Sequence, residues 1–301
     1  MINENRGHLL TEQINPESRN LDRLSAVEIV DLFNQEDNKT ISAIANARES
    51  LAATIEAGSK ALSRGGRLFY VGAGTSGRLG VLDAAECPPT FCTPPELVQG
   101  IIAGGAAALV RSSEDLEDSQ QDGAEAIAHH QILNSDVVLG ISAGGTTPFV
   151  HGALNAAKER GAKTISLSCV PREQVTINAD IDIRLLVGAE ILAGSTRLKA
   201  GTATKMALNI ISTGVMVRLG KVYGSRMVDV AVTNTKLLDR SLRIISDLTN
   251  LSRQEADTLL QHSDKKVKLA LLMHWTGLEK TECELLLTKY QGNLRAALQD
   301  K

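Results

Sequence analysis

The sequence predicts an α/β protein with a doubly wound, parallel sheet of five strands, preceded by N-terminal helices and followed by a small C-terminal helical domain. Short apolar runs alternate with longer helical stretches through the middle of the chain. This alternation is typical of parallel strands joined by right-handed helical crossovers. The apolar runs are almost continuous, as in residues 137–141 (VVLGI), which indicates strands covered by helices on both faces.

The elements follow in a regular order along the chain. After a polar arm, Ser25 and Glu28 predict a capping box that begins a first helix, and a second helix is predicted over residues 40–62. The predicted strands are residues 67–71, 97–102, 136–141, 164–168 and 181–187. The predicted helices between and after them are residues 78–85, 117–130, 148–160 and 197–219.

Beyond residue 242 the sequence contains only short amphipathic segments without strand signals. The predicted helices there are residues 244–251, 252–261, 265–276 and 280–298. Ser252 to Glu255 and Thr281 to Glu284 predict capping boxes for two of them. We therefore predict an N-terminal arm with helices (1–50), the sheet domain (51–242) and a C-terminal helical bundle (243–301).

Composition excludes several classes of function. The 301-residue chain has a net charge of −3 and 3% aromatic residues, whereas nucleic-acid binders usually show basic patches and aromatic stacking platforms. No apolar run approaches the roughly 20 residues that span a bilayer, and the first 19 residues lack an apolar signal core. The four cysteines match no zinc spacing. We expect a cytoplasmic protein that binds neither nucleic acid nor membranes.

A glycine-rich turn follows the first predicted strand. Residues 72–77 read GAGTSG and lead into a helix, where free backbone N–H groups and the helix dipole favour an anion. The turn also matches the dinucleotide fingerprint, but the acidic residue expected about 20 positions later is absent. We predict a phosphate site at Gly74, Thr75, Ser76 and Gly77. A nicotinamide or flavin site and a tight turn without ligand stay open as alternatives.

A second polar turn follows the third predicted strand, where residues 142–147 read SAGGTT. The carboxyl ends of parallel strands meet at one edge of the sheet, so two such turns on neighbouring strands can hold one phosphate from both sides. We therefore predict Ser142, Gly145 and Thr147 as further phosphate-binding residues. An ordinary helix start without ligand is the alternative.

Longer blocks carry a family resemblance. Residues 72–80 (GAGTSGRLG), 82–90 (LDAAECPPT) and 188–203 (GAEILAGSTRLKAGTA) resemble the N-acetylmuramic acid 6-phosphate etherases, whose core is a flavodoxin-like, phosphosugar-binding SIS domain. The third block is shared with the glucokinase regulatory protein, a relative without enzymatic activity. The family pattern in the second turn is ASGRT, whereas residues 143–147 here read AGGTT. Thr204 stands where the family pattern has glutamine.

The resemblance implies a chemistry and the residues that perform it. Members of this family eliminate D-lactate from a sugar phosphate and add water back, without a metal or an organic cofactor. The resemblance makes Glu86 and Glu117 the catalytic carboxyl groups and adds Ser195, Arg197 and Lys199 as substrate contacts. Two alternatives stay open for this second group: Arg197 and Lys199 only orient the long helix, and Ser195 simply caps it. It also implies a homodimer, with the polar N-terminal arm as a candidate to lie on the partner subunit.

The same residues also have plainer interpretations. Glu86 precedes Cys87-Pro88-Pro89, a stiff turn that we expect to end its helix and to fix the side chain. A single glutamate near a helix end is, however, usually solvated and without a function. Glu117 lies in the acidic segment 114–118, which is typical of an exposed helix start. Two other functions stay open: a phosphosugar-sensing regulator, which needs no catalytic carboxylates, and an aldose–ketose isomerase on the same fold.

Overall fold

The chain divides into two compact units, one formed by residues 1–85 and 96–212 and the other by residues 86–95 and 213–301. The computed structural model describes residues 6–111, 115–230, 232 and 234–299 of the chain. The sequence predicts a finer division, in which the N-terminal arm and helices (1–50) are separate from the sheet domain (51–242). This division stays a prediction.

A parallel sheet forms the centre of the first unit and confirms the predicted fold class. Its strands are β1 (Leu68–Gly72), β2 (Val98–Ile102), β3 (Val137–Ile141), β4 (Lys163–Ser168) and β5 (Ile181–Arg184). They are hydrogen-bonded in the order β2-β1-β3-β4-β5, and all pairs are parallel. The strand order therefore reverses at β1 and β3, and the loops that follow these two strands begin side by side.

Helices cover both faces of this sheet. They are α1 (Ala26–Asn46), α2 (Arg48–Leu62), α3 (Gly74–Phe91), α4 (Gln120–His129), α5 (Pro148–Glu159) and α6 (Lys199–Arg218). Phe69 and Val71 of β1 belong to the core that includes α4 and α5. Tyr70 points the other way, where α3 approaches so closely that a Cβ on Gly80 would lie 2.8 Å from that of Tyr70. Burial on both faces explains the continuous apolar runs.

Several helix limits differ from the predictions. The capping box of Ser25 and Glu28 is confirmed, but α1 continues to Asn46, so the predicted helix 40–62 straddles α1 and α2. The prediction that the prolines end α3 was wrong. This helix includes Pro88 and Pro89, and its last turn closes beyond them, where the Cys92 N–H donates to the carbonyl of Pro88 at 2.9 Å.

The second unit is mainly helical. It contains a short hairpin of β6 (Val222–Tyr223) and β7 (Arg226–Met227), then α7 (Thr235–Thr249), α8 (Arg253–His262), α9 (Val267–Thr276), α10 (Lys280–Lys289) and α11 (Leu294–Gln299). The capping box at Ser252 is confirmed, whereas the one predicted at Thr281 is wrong because Glu279 and Glu282 form it instead. Within the described ranges, no helix is both long and apolar enough to cross a membrane.

Candidate functional site

The first glycine-rich turn places the start of α3 directly against the end of β1. Gly74 begins the helix with a positive φ of 52°. A Cβ on Gly77 would lie 2.6 Å from Ile102 Cγ1 and 2.7 Å from the carbonyl oxygen of Gly72, so only glycine allows this approach. The first N–H groups of a helix have no intrahelical acceptor. Those of Gly74, Thr75 and Ser76 are therefore available to an anion at the edge of the sheet.

The second turn lies beside the first, because Gly72 at the end of β1 is the register partner of Ile141 at the end of β3. Its hydroxyl groups are brought together: Ser142 Oγ and Thr147 Oγ1 are 2.8 Å apart. The Thr147 N–H also donates to Ser142 Oγ at 3.3 Å. The two turns thus present hydroxyl and amide groups at neighbouring strand ends, as the sequence predicted.

A histidine supports the second turn. His151 Nε2 lies 2.8 Å from the carbonyl oxygen of Gly145, which has a positive φ of 72°. The Gly145 N–H donates to the carbonyl of Ser142 at 3.0 Å and closes the turn. Sequence reasoning gave His151 no role, and its position in the first turn of α5, just after the glycines, was the available signal.

Residues 188–198 lead into α6, which begins at Lys199. Glu190 is fully buried, and its carboxylate accepts the backbone N–H groups of Lys199 at 3.0 Å and Ala200 at 2.9 Å. It therefore caps the start of α6. Burial raises the pKa of Glu190, although these two backbone hydrogen bonds act in the opposite direction. A Cβ on Gly201 would lie 3.6 Å from Thr75 Cγ2, so this helix start adjoins the first turn.

The geometry favours the second interpretation of Lys199, in which it orients the long helix and does not contact substrate. Its side chain is completely buried, and Nζ donates to Glu36 Oε2 and to the carbonyl of Ala189, both at 2.6 Å. Glu36 also accepts hydrogen bonds from Asn15 and Lys39, each at 2.7 Å. Burial alone would raise the pKa of Glu36, but the hydrogen bonds from Lys199, Lys39 and Asn15 outweigh it and hold that pKa at about 2.

Sequence reasoning missed Glu36, although a signal was present. The buried positions of α1 are Leu32, Glu36, Thr40 and Ala43, so the glutamate falls on the core-facing stripe of the helix. A charged residue at such a position is seldom buried without a partner. The pattern therefore indicated that a positively charged side chain pairs with Glu36 in the core, but it did not identify that side chain as Lys199.

The N-terminal arm makes contacts with its own chain, and the expectation that it lies on a partner subunit stays a prediction. The carbonyl of Thr11 accepts the Gly194 N–H at 3.1 Å, and the Leu10 N–H donates to Gln174 Oε1 at 2.9 Å. Leu9 and Asn15 are also buried. The arm therefore packs on the segment that precedes α6, near Ser195 and Arg197.

The remaining predicted contacts lie close to the start of α6. Arg197 is exposed, whereas Ser195 and Thr196 are half-buried. Thr204, one of the departures from the family pattern, is buried within α6. It forms a hydrogen bond with Cys169, whose pKa is raised to about 12 by burial and by the nearby charge of Glu190. Thr204 therefore contributes a contact in the core, to Cys169, and is not exposed for binding a ligand.

The two predicted catalytic carboxyl groups fall in different units. Glu86 is exposed on α3, in the stretch 86–95 of the second unit. Glu117 is half-buried in the 3₁₀ turn Asp115–Glu117 of the first unit. The helix α4 begins only at Gln120, capped by Ser119, so the prediction that residue 117 starts it was wrong. Glu114 of the same acidic segment lies outside the described residues.

Known proteins identify the family. Three family models match the chain. The N-terminal SIS domain of the glucokinase regulatory protein matches residues 43–158, and the C-terminal lid domain of that protein matches residues 224–276. The general SIS domain model matches residues 120–213. The N-acetylmuramic acid 6-phosphate etherase of Rippkaea orientalis is 74% identical, over 98% of this chain and 97% of that protein. The etherase of Crocosphaera subtropica is 73% identical over the same shares. The chain belongs to the N-acetylmuramic acid 6-phosphate etherase family.

The family resemblance drawn from the sequence is thereby confirmed. Among solved structures, a phosphoheptose isomerase from Neisseria gonorrhoeae matches with a TM-score of 0.47 and 17% identity, over 62% of this chain and 96% of that one. In this member of the etherase family, the first unit brings together both polar turns and the start of α6. Across the parts of the chain that the structure describes, no group of three or more His, Cys, Asp or Glu side chains is arranged to hold a metal ion.

Proposed function

We propose that this protein cleaves the D-lactyl ether of N-acetylmuramic acid 6-phosphate, giving N-acetylglucosamine 6-phosphate and D-lactate in the recycling of cell-wall sugars. The observation that carries this proposal is the 74% identity to a protein named as this etherase, over 98% of the chain. The site geometry supports it, because two hydroxyl-bearing turns start at adjacent strand ends, where a sugar phosphate is expected in such a sheet.

The phosphate group is assigned to the two turns. Backbone N–H groups at the start of α3 and the hydroxyls of Thr75 and Ser76 hold it from one side. The hydroxyl pair of Ser142 and Thr147, 2.8 Å apart, faces it from the other turn. The proposed phosphate contacts are therefore Gly74, Thr75, Ser76, Ser142 and Thr147. Gly77 and Gly145 belong to the proposed site by shaping the two turns, because their N–H groups donate to the carbonyls of Ala73 and Ser142.

The sugar is assigned to the segment that leads into α6. Ser195 and the exposed Arg197 are the proposed contacts there. Lys199 is no longer among them, because its amine is buried against Glu36. We assign it instead to holding the start of α6 in place.

The reaction requires an elimination, because the alkyl ether is a poor leaving group that water does not displace directly. In the open-chain sugar, the aldehyde acidifies the proton on C2. A base removes this proton while an acid protonates the lactate oxygen, the C3–O bond breaks, and a C2–C3 double bond forms. Water then adds its oxygen to C3 and a proton to C2. Two carboxyl groups suffice when one is protonated and the other ionised.

We assign the two carboxyl roles to Glu86 and Glu117. Glu86 is the proposed acid toward lactate and then the base toward water, and Glu117 takes the proton from C2. The 3₁₀ turn that contains Glu117 belongs to the same unit as the two phosphate-binding turns. The assignment of Glu86 rests on the family motif in residues 82–90.

Lactate release is the test of this function. Wild-type protein should release lactate from N-acetylmuramic acid 6-phosphate, and Glu86→Gln and Glu117→Gln should each abolish the release with little change in Tm, since neither side chain lies in the core. Glu159→Gln, an exposed glutamate at the end of α5, is the control and should keep full activity. Near-complete turnover in either test variant would contradict the role of that carboxyl group.

The same assay separates the other functions. A regulator of the glucokinase regulatory protein type binds the sugar phosphate and releases nothing, and an isomerase gives a ketose phosphate without lactate. The high identity to named etherases favours the enzyme over the regulator.

We further propose that the enzyme works as a homodimer in the cytoplasm. Leu82 of α3 and Ile210 of α6 are large apolar side chains that are 50% and 37% exposed. Large apolar side chains left exposed on two helices are candidates for burial in an interface. Light scattering coupled to size-exclusion chromatography measures the mass directly, and a mass of one chain at micromolar concentration would contradict the dimer.

A further inference from the structure

The N-terminal arm reaches the second turn. A Cβ placed on Gly144 would have Thr11 Oγ1 and Thr146 Oγ1 as its nearest neighbours, each at 3.7 Å. Two hydroxyl groups from distant parts of the chain thus face the same small space beside the glycine. Gly144 itself is half-buried, between Ser142 and Thr147 of the proposed phosphate site.

The hydroxyl of Thr11 lacks a hydrogen-bond partner among the residues that the structure describes. Its side chain is 1% exposed, and Oγ1 accepts or donates no hydrogen bond to any of the described residues. A buried hydroxyl that is kept from both water and protein partners costs free energy. Such a group in a native structure calls for a partner that binds there.

The backbone around Thr11 is held firmly in this position. Its carbonyl accepts the Gly194 N–H at 3.1 Å, and the preceding N–H, that of Leu10, donates to Gln174 at 2.9 Å. Four residues further on, Asn15 donates to Glu36 at 2.7 Å and to the carbonyl of Ala189 at 3.2 Å. The arm is therefore anchored on both sides, and the orientation of Thr11 toward Gly144 follows from these contacts.

We propose that Thr11 is a ligand-binding residue, whose hydroxyl donates a hydrogen bond to a phosphate oxygen of the sugar phosphate seated on the second turn. This inference rests on the proposed function, since it takes that turn as part of the phosphate site. The arm then contributes to the site of its own chain. The hydroxyl of Thr146, on the other side of Gly144, approaches the same oxygen.

Binding of N-acetylglucosamine 6-phosphate, measured by calorimetry, tests this without any turnover. Thr11→Val keeps the shape of the side chain and removes the hydroxyl, so affinity should fall about tenfold. The Tm without ligand should stay equal or rise, because an unpaired buried hydroxyl is removed. Thr11→Ser keeps the hydroxyl and should bind within about threefold of wild type.

The chain offers a matched control. Thr93 is 6% exposed and its hydroxyl also lacks a partner among the described residues, but it follows Phe91 at the end of α3, whereas the proposed phosphate site lies at the first residues of that helix. Thr93→Val should therefore leave the affinity unchanged. Unchanged affinity in Thr11→Val, or a loss in Thr11→Ser as large as in Thr11→Val, would overturn the inference.

The test is independent of the etherase assignment. A wild-type protein that binds the probe but releases no lactate contradicts the proposed function, while the comparison of Thr11→Val with Thr11→Ser still decides the role of the hydroxyl. A wild-type protein that does not bind the probe contradicts both.

Discussion

The amine of Lys199 lies 2.6 Å from a carboxylate oxygen of Glu36, and the two side chains are only 0% and 1% exposed. This pair joins α1 to the first residue of α6, and Asn15 of the arm bonds to the same carboxylate oxygen. Ser195 and Arg197 lie just before Lys199 in the chain. The buried pair therefore fixes the point from which the proposed sugar-binding segment enters the helix.

Removal of one partner of this pair should be strongly destabilising. Lys199→Met leaves the Glu36 carboxylate buried without its main counter-charge, and such a change costs about 3–5 kcal/mol. Urea unfolding followed by circular dichroism measures the loss. Lys39→Met is the control, because Lys39 is 50% exposed on the same carboxylate and its loss should cost less than about 1 kcal/mol.

A substitution at Arg197 tests whether this residue contacts the substrate, in contrast to Lys199, which stabilises the fold. Because its side chain is exposed, Arg197→Met should leave the stability unchanged but raise KM for the sugar phosphate. The opposite pattern, in which Lys199→Met is as stable as wild type and only its KM rises, would restore Lys199 as a substrate contact.

The stability of the protein should fall in acid partly through Glu36. The pKa of this carboxyl is about 2 in the folded chain, compared with an ordinary value of 4.5 for glutamate. Between these values the unfolded chain binds more protons, so the stabilisation is complete above about pH 4.5 and is lost as the pH falls toward about 2. In Glu36→Gln, which should be less stable at neutral pH, the free energy of unfolding should depend less steeply on pH in this window. Equal slopes in urea titrations of both proteins would contradict the assignment.

The close approach of α3 to the sheet predicts a sharp difference between two glycines. In Gly77→Ala, the new Cβ would lie 2.6 Å from Ile102 and 2.7 Å from the carbonyl of Gly72, so strand and helix must separate. Overpacking of this kind costs about 1–3 kcal/mol. Displacement of the helix start should also weaken phosphate binding. Gly144→Ala meets its nearest neighbours at 3.7 Å, an ordinary contact, and should keep the wild-type Tm. Equal Tm values for the two variants would contradict this packing.

The sheet and both turns were predictable because their causes are local. Continuous apolar runs specify strands buried on both faces, and the pattern of glycine, serine and threonine after β1 and β3 specifies tight turns with free amides. The end of α3 was not predictable from the same rules, since Pro88 and Pro89 normally stop a helix. Here the turn closes beyond them through the bond from Cys92 to Pro88.

Contacts between distant residues account for the parts of the site that the sequence did not predict. Lys199 is 163 positions from Glu36, and Leu10 is 164 positions from Gln174. No periodicity or spacing reports such pairings, so the sequence left open whether Lys199 contacts substrate or orients the helix, and it gave no indication that the arm contacts Gln174. The catalytic roles proposed for Glu86 and Glu117 came from the family resemblance alone, because a single glutamate near an expected helix end carries no local signal of catalysis.

Arg78 should affect catalysis through the segment that carries Glu117. Its guanidinium group donates to the carbonyl of Leu109 at 3.2 Å and to that of Arg111 at 3.1 Å. Leu109 and Arg111 are exposed, so apolar burial does little to hold this stretch and the two hydrogen bonds matter more. Since Glu117 follows Arg111 by six positions, Arg78→Met should lower kcat about tenfold through misplacement of that carboxyl group.

Two further observations distinguish this positioning effect from a general loss of stability. KM and Tm should change little in Arg78→Met, because the two phosphate turns stay intact. Arg160→Met is the matched control, since Arg160 also donates to a main-chain carbonyl, that of Ala156 at 3.0 Å, but within its own helix end. A similar fall of kcat in both variants would show that loss of an arginine charge, and not the tether to residues 109 and 111, lowers the rate.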